Sequence, residues 1–135
     1  LGANIADRPW PGCGEIDVME LKGQNEDMLW GTLHGPNGSN GSTTTLDSPQ
    51  TEWHTYAIDW LPDQLIWYVD GVKYGEVNKT DIDWVYDHEN YLLLNLAMGG
   101  NLGGDIDPNL ASTTMKVDWI RFSTINGLGE VILAK

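Results

Sequence analysis

The stretch Gly14-Glu15-Ile16-Asp17-Val18-Met19-Glu20 determines how the rest of the sequence is interpreted. Its two β-branched residues favour a strand, but its three carboxylates make it too charged for an ordinary core strand. Because side chains alternate between the two faces of a strand, Glu15 and Asp17 share one face and Glu20 points to the other. One extra residue absorbed near Val18 or Met19 as a β-bulge would return Glu20 to the face of Glu15.

Such a cluster of carboxylates has a chemical interpretation. A retaining glycosidase needs two carboxyl groups about 5 to 5.5 Å apart, one to attack the anomeric carbon and one to protonate the leaving oxygen. Asp17 could hydrogen-bond one of the two glutamates, and crowding of like charges would raise the pKa of one carboxyl group. The alternative is a solvated acidic strand face. The spacing arises about 0.4 times by chance in a chain with 20 acidic residues among 135, so it does not decide between the two.

The remaining sequence predicts mostly strands and turns. Alternating or continuous apolar runs predict strands over residues 15–22, 28–35, 52–60, 65–69, 72–77, 91–98 and 114–122. Asp70-Gly71 predicts a tight hairpin between two of them. Residues 36–50 are rich in Gly, Ser, Thr and Asn and predict an exposed loop, whereas residues 78–90 are acidic and could include a short helical turn.

The motifs around the acidic stretch resemble a known enzyme family. Trp10-Pro11-Gly12-Cys13 leads directly into it, and together they closely resemble the signature of glycoside hydrolase family 16, in the laminarinase-like branch that carries the bulged form. The resemblance covers residues 1–123 and leaves residues 124–135 as a tail of unknown role. Further motifs follow in the order and spacing typical of that family, namely Thr32-Leu33-His34-Gly35-Pro36, Trp53-His54-Thr55-Tyr56, Asp59-Trp60, Tyr68-Val69-Asp70-Gly71, Asn95-Leu96-Ala97-Met98-Gly99-Gly100-Asn101 and Met115-Lys116-Val117-Asp118-Trp119-Ile120-Arg121.

This resemblance implies an all-β fold, a concanavalin A-like jelly-roll β-sandwich whose concave sheet forms an open cleft for a polysaccharide. It implies endo-hydrolysis of β-1,3-glucan with retention of configuration, with Glu15 as the nucleophile, Glu20 as the general acid and then base, and Asp17 as the orienting carboxylate. No cofactor enters this chemistry, because two carboxyl groups are sufficient for double displacement. Loops set the linkage preference, so mixed-linkage glucan and agarose stay open as substrates.

Three further residues are candidates for substrate binding. Trp10 is the best placed of the seven Trp to stack on a sugar ring, since indoles present an apolar face with a polar edge. A lone His is more often a structural hydrogen-bonding group, but the resemblance favours a cleft position for His34, in contact with substrate or a carboxylate. Asn95 interrupts an apolar run, and its amide either bonds backbone or faces the cleft and bonds a sugar hydroxyl.

Members of this family have further residues ahead of the catalytic strand, so the resemblance implies that residues 1–123 are the C-terminal portion of a catalytic domain. A complementary polypeptide segment would then supply the N-terminal half of both sheets. If a half-length chain cannot build the cleft, it would be a non-catalytic β-glucan-binding module or an inert half-domain. The presence of Glu15, Asp17 and Glu20 counts against a binding module, because family relatives of that kind have lost their glutamates.

The resemblance also implies a metal. Many family members bind a structural Ca²⁺ through an Asp of the last strand, and Asp118 matches that position. One carboxylate and its backbone carbonyl supply two of the six to eight oxygens that Ca²⁺ prefers. The remaining ligands would come from water and from the complementary segment.

Composition limits the partners. A formal net charge of −13 with only seven Lys and Arg argues against nucleic acid and anionic membrane surfaces, and no apolar run is long enough to span a bilayer. A neutral polysaccharide, a β-glucan by resemblance, fits this charge. The single Cys13 excludes an internal disulfide. We expect a secreted or periplasmic location.

Overall fold

The computed structural model describes residues 1–49 and 51–132, and its regular structure is almost entirely β. Two three-stranded antiparallel sheets follow one another along the chain, each with its strands in sequential order. The first sheet contains β1 (Glu15–Lys22), β2 (Asn25–Gly35) and β3 (Gly38–Thr45), and the second contains β4 (Tyr56–Trp60), β5 (Gln64–Val69) and β6 (Val72–Asn78). The predicted all-β class is confirmed, and within each sheet consecutive strands pair through a short connection.

The tight turns agree with the local sequence. Asp70 and Gly71 both have positive φ, 50° and 77°, which is the conformation that a two-residue hairpin with matching strand twist requires. They join β5 to β6, as the Asp-Gly pair predicted. At the end of β2, Gly38 adopts φ 113° and opens the return strand.

The prediction of a loop over residues 36–50 is wrong for the middle of that stretch. β3 pairs with β2 without a break, from Gly35 opposite Gly38 to Met28 opposite Thr45. Its side chains are mostly exposed, so the apolar alternation that identifies a half-buried strand is missing from the sequence. A β-branched run of Thr tolerates this conformation well. Gln50, the last residue of that prediction, lies outside the described residues.

The core lies between the two sheets. β2 turns alternate residues inward and buries Leu29, Gly31 and Leu33, while its other face carries Trp30, Thr32 and His34. The buried residues that form the core cluster are Leu33, Leu65, Trp67, Val77, Val85 and Tyr86. This packing leaves the outer face of the first sheet for the acidic residues of β1.

Residues 91–132 differ from the predictions. The strands predicted over residues 91–98 and 114–122 are not formed, and the regular structure described there is α1 (Gly100–Gly103) and an isolated bridge between Ile125 and Leu128. Apolar side chains in both stretches are exposed, including Leu92 at 60% and Trp119 at 56%. An apolar run indicates a segment suited to burial, but a strand also needs a neighbouring strand to satisfy its backbone. None of the six described strands pairs with either stretch.

Residues 78–90 contain a 3-10 helix, Lys79–Asp81, which confirms the predicted helical turn. The chain start is joined to this region, because Leu1 and Tyr91 exchange backbone hydrogen bonds and Gly2 forms a bridge with Asn90. Neither helix among the described residues has the length and apolar character to cross a membrane. Residues 133–135 of the tail lie outside the described part.

Candidate active site

A β-bulge in β1 forms the basis of the site. Asp17 lies opposite Thr32 and Glu20 lies opposite Trp30, so two residues of β1 face the single Gly31 of β2. The extra residue changes the parity of the strand and brings Glu20 onto the face of Glu15 and Asp17. The predicted bulge, near Val18 or Met19, is confirmed.

Glu15 is held by the loop that precedes β1. The indole Nε1 of Trp10 donates a hydrogen bond to Glu15 Oε2 at 2.5 Å. The Trp10 ring also lies near the His34 ring, with 5.9 Å between their centroids. The indole remains 54% exposed, so its polar edge is directed to the acid while part of its apolar surface stays open to solvent.

Glu20 is held from the neighbouring strand. The hydroxyl of Thr32 donates to Glu20 Oε2 at 2.8 Å. Thr32 stands on the same face of β2 as Trp30 and His34, because side chains alternate along the strand. One oxygen of the Glu20 carboxyl therefore has a fixed partner, which orients the other.

Asp17 lies between the two glutamates and titrates unusually. Burial, followed by the negative charges of Glu15 and Glu20, raises the pKa of Asp17 to about 8. At neutral pH the Asp17 carboxyl therefore keeps its proton, and its hydroxyl donates to the Glu15 carboxylate. His34 Nε2 lies 3.2 Å from Asp17 Oδ2.

Two predicted residues are not brought to this cluster. Asn95 is exposed, and no hydrogen bond within residues 1–49 and 51–132 joins it to the three acids. Asp118 is also exposed, and the part of the chain that the structure describes gathers no metal-ligating group of three around it. The residues described here therefore do not by themselves fit a Ca²⁺ site at Asp118.

Asp17, Glu20 and His34 each offer one atom that could bind a metal ion, and these three atoms lie within 4.8 Å of one another. These are the site residues themselves, and the Glu20 carboxyl already accepts a hydrogen bond from the Thr32 hydroxyl.

A buried aromatic of the second sheet also supports the site, since Trp67 Nε1 donates to the backbone carbonyl of Asp17 at 2.9 Å. Sequence analysis did not identify Trp67, because an apolar strand residue carries no sign of a cross-sheet hydrogen bond.

Comparison with known proteins gives consistent matches. The pattern of Glycosyl hydrolases family 16 matches residues 5–121. The laminarinase catalytic domain of Thermotoga maritima is 37% identical and superposes with a TM-score of 0.74, over 80% of this chain and 48% of that one. The endo-β-1,3-glucanase of Pyrococcus furiosus is 38% identical with a TM-score of 0.74, over 81% of this chain and 46% of that one.

A β-glucanase of Rhodothermus marinus is 32% identical over 128 residues, which are 83% of this chain and 45% of that protein. This chain thus spans a little less than half the length of these three relatives. The two solved structures share the all-β sandwich architecture expected from the motifs. With a match that extends over most of its length, the chain belongs to glycosyl hydrolase family 16, as the acidic stretch and its flanking motifs predicted.

Proposed function

We propose that this chain carries the catalytic residues of an endo-β-1,3-glucanase that cleaves laminarin-type glucan with retention of configuration. The observation that supports this most strongly is the bulge, because it places Glu15 and Glu20 on one face despite their odd separation along β1. A pair of glutamates on one open sheet face is what double displacement requires. The names of the two solved structures described above, a laminarinase and an endo-β-1,3-glucanase, support the same linkage.

In this mechanism Glu15 is the nucleophile. Its carboxylate receives two hydrogen bonds, from the Trp10 indole and from the protonated Asp17, which orient it toward the anomeric carbon. As the Glu15 oxygen bonds to that carbon, the bond to the leaving oxygen breaks and Glu20 gives its proton to that oxygen. Water then attacks the anomeric carbon, Glu20 takes the proton of that water, and Glu15 is released as a carboxylate.

The surface beside the three acids would also contact the substrate. The exposed part of the Trp10 indole is available to a sugar ring beside the acids. His34 touches both Trp10 and Asp17, so its first role is to hold the acidic cluster in place, and it borders the substrate there. A polymeric substrate of this size does not cross membranes, which favours a secreted or periplasmic enzyme.

We extend the proposal to residues 91–98 and 114–122. Their exposed apolar side chains are suited to burial in a sheet, and this chain matches a little less than half of each of these two relatives. A complementary segment, equivalent to the N-terminal half of the relatives, would pair with both stretches. Asn95 would then reach the cleft, and Asp118 would acquire the further oxygens that Ca²⁺ needs.

The test is hydrolysis of laminarin, lichenan and agarose, measured as reducing ends. Proton NMR of the first product identifies its anomer. The chain is assayed alone and together with the complementary segment of the Thermotoga maritima domain. We expect laminarin to be cleaved fastest and a β-anomer to form first. An α-anomer would contradict the double displacement, and binding to insoluble glucan without cleavage in either assay would favour the binding module.

A further inference from the structure

A residue of the second sheet supports the bulge in β1. At this point the carbonyl of Asp17 precedes the two residues that face Gly31, and the regular ladder between β1 and β2 is interrupted. Backbone groups at such an interruption need another partner. The indole Nε1 of Trp67 provides one for Asp17, at 2.9 Å.

Trp67 is itself fixed in position. It lies on β5, the central strand of the second sheet, where Ile58 of β4 and Gly75 of β6 are its partners in register. Its side chain is completely buried, at 0% exposure. A buried indole N–H requires an acceptor, so the hydrogen bond ties the bulge to the core at a single defined place.

Gly31 leaves the space that this contact needs. A Cβ atom at this position would lie 2.4 Å from Trp67 Cδ1 and 2.5 Å from Trp67 Nε1, and 2.6 Å from the hydroxyl of Tyr74. These distances are too short for any side chain larger than hydrogen. The residue that faces the bulge must therefore be Gly for the indole to reach the Asp17 carbonyl.

From these contacts we infer that Trp67 is a positioning residue for hydrolysis. Its indole N–H, together with the space at Gly31, fixes the bulge and so holds Glu20 on the face of Glu15. The inference deepens the proposed function and rests on it for its catalytic part. A strand that lost the bulge would turn Glu20 away from the substrate, since a shift of one residue exchanges the two faces.

The principal variant is Trp67→Phe, which keeps an aromatic ring and removes the donor. We expect amide hydrogen exchange of residues 18–20 to increase at least tenfold. We expect kcat to fall about 10- to 100-fold with KM within about threefold, because the acid is misplaced while the binding surface is kept. The basic limb of the pH profile of kcat/KM, which reports the general acid, should shift as well.

Tyr74→Phe is the matched control. Tyr74 also borders the space at Gly31, and its hydroxyl has no hydrogen-bond partner among the described residues. Its loss should leave exchange of residues 18–20 and the pH profile unchanged. If Trp67→Phe only lowers the melting temperature and matches Tyr74→Phe in exchange and pH profile, Trp67 has a general packing role and the inference is wrong.

Two further measurements remain decisive if Trp67→Phe does not fold. In the unaltered chain, the indole N–H of Trp67 should exchange with solvent far more slowly than that of Trp53, which is 67% exposed; equal rates would contradict the hydrogen bond. Gly31→Ala should reproduce the increased exchange of residues 18–20, and unchanged exchange would overturn the inference. Both readouts are independent of hydrolysis, so a failure of the proposed function would be seen separately.

Discussion

Residues 15–90 and residues 91–132 contain similar sequence signals but differ in structure. In the first region each of the two sheets pairs strands that are consecutive along the chain. In the second region two apolar stretches belong to neither sheet, and their large apolar side chains are exposed. Strands joined by a hairpin have their partner close in sequence, whereas a strand whose partner is distant must meet it through long-range contacts. The three acids of the candidate active site lie entirely in the region that pairs locally.

The largest effect should come from Glu15, the proposed nucleophile in the region that pairs locally. Replacing Glu15 with Ser should lower turnover of laminarin by at least about 10⁴-fold, because the residue that bonds the anomeric carbon is removed. Binding should be largely kept, since Trp10 and His34 are unchanged. Glu26→Ser, at an exposed position of β2, is the control and should keep near-normal turnover. Near-normal turnover by the Glu15 variant would refute the assignment.

Replacement of Glu20, the proposed general acid, should give a smaller and more selective effect. We expect Glu20→Gln to lower turnover of laminarin by about 10²- to 10⁴-fold. The first step of hydrolysis of an aryl glucoside should slow much less, because its leaving group departs without being protonated. The measurement is the ratio of the losses of rate on laminarin and on the aryl glucoside. Equal losses on both substrates would show that Glu20 has another role.

Hydrogen exchange compares the two regions directly. The amides of β2 and β5, the central strands, should exchange at least about 100-fold more slowly than those of residues 91–98 and 114–122. Mass spectrometry of peptides from a deuterated chain gives these rates. Addition of the complementary segment should slow exchange in the second region and leave β2 and β5 little changed. Strong protection of both regions in the chain alone would show that residues 91–132 have partners of their own.

The sequence allowed much of the first region to be predicted. Asp70-Gly71 predicted one hairpin, and the odd separation of Glu15 and Glu20 along one strand predicted the bulge. β3 was missed because an exposed polar strand has no apolar alternation. The hydrogen bonds of Trp10, Thr32 and Trp67 to the site were not predicted, since they depend on which side chains meet in space. The same limit explains residues 91–98, where an apolar run does not specify the partner strand.

The smallest effect that we predict concerns Asp17 and pH. Its pKa is raised from about 3.8 to about 8 in the folded chain, so the folded state binds more protons than the unfolded state between these values. The contribution of Asp17 to stability is therefore fully present below pH 4 and decreases as pH rises to 8. Asp17→Asn cannot ionise and should remove this decrease.

Urea denaturation at pH 4, 6 and 8 measures this contribution. We expect the variant to gain stability relative to the unaltered chain as pH rises, by about 1 to 2 kcal/mol at pH 8, less than the full pKa shift would give because the carboxyl is partly exposed. Asp27→Asn, at an exposed position of β2, should show a pH-independent difference. A pH-independent difference for Asp17→Asn would mean that Asp17 is already ionised at neutral pH. Glu15 would then lose the hydroxyl donor that orients it, and Trp10 alone would position the nucleophile.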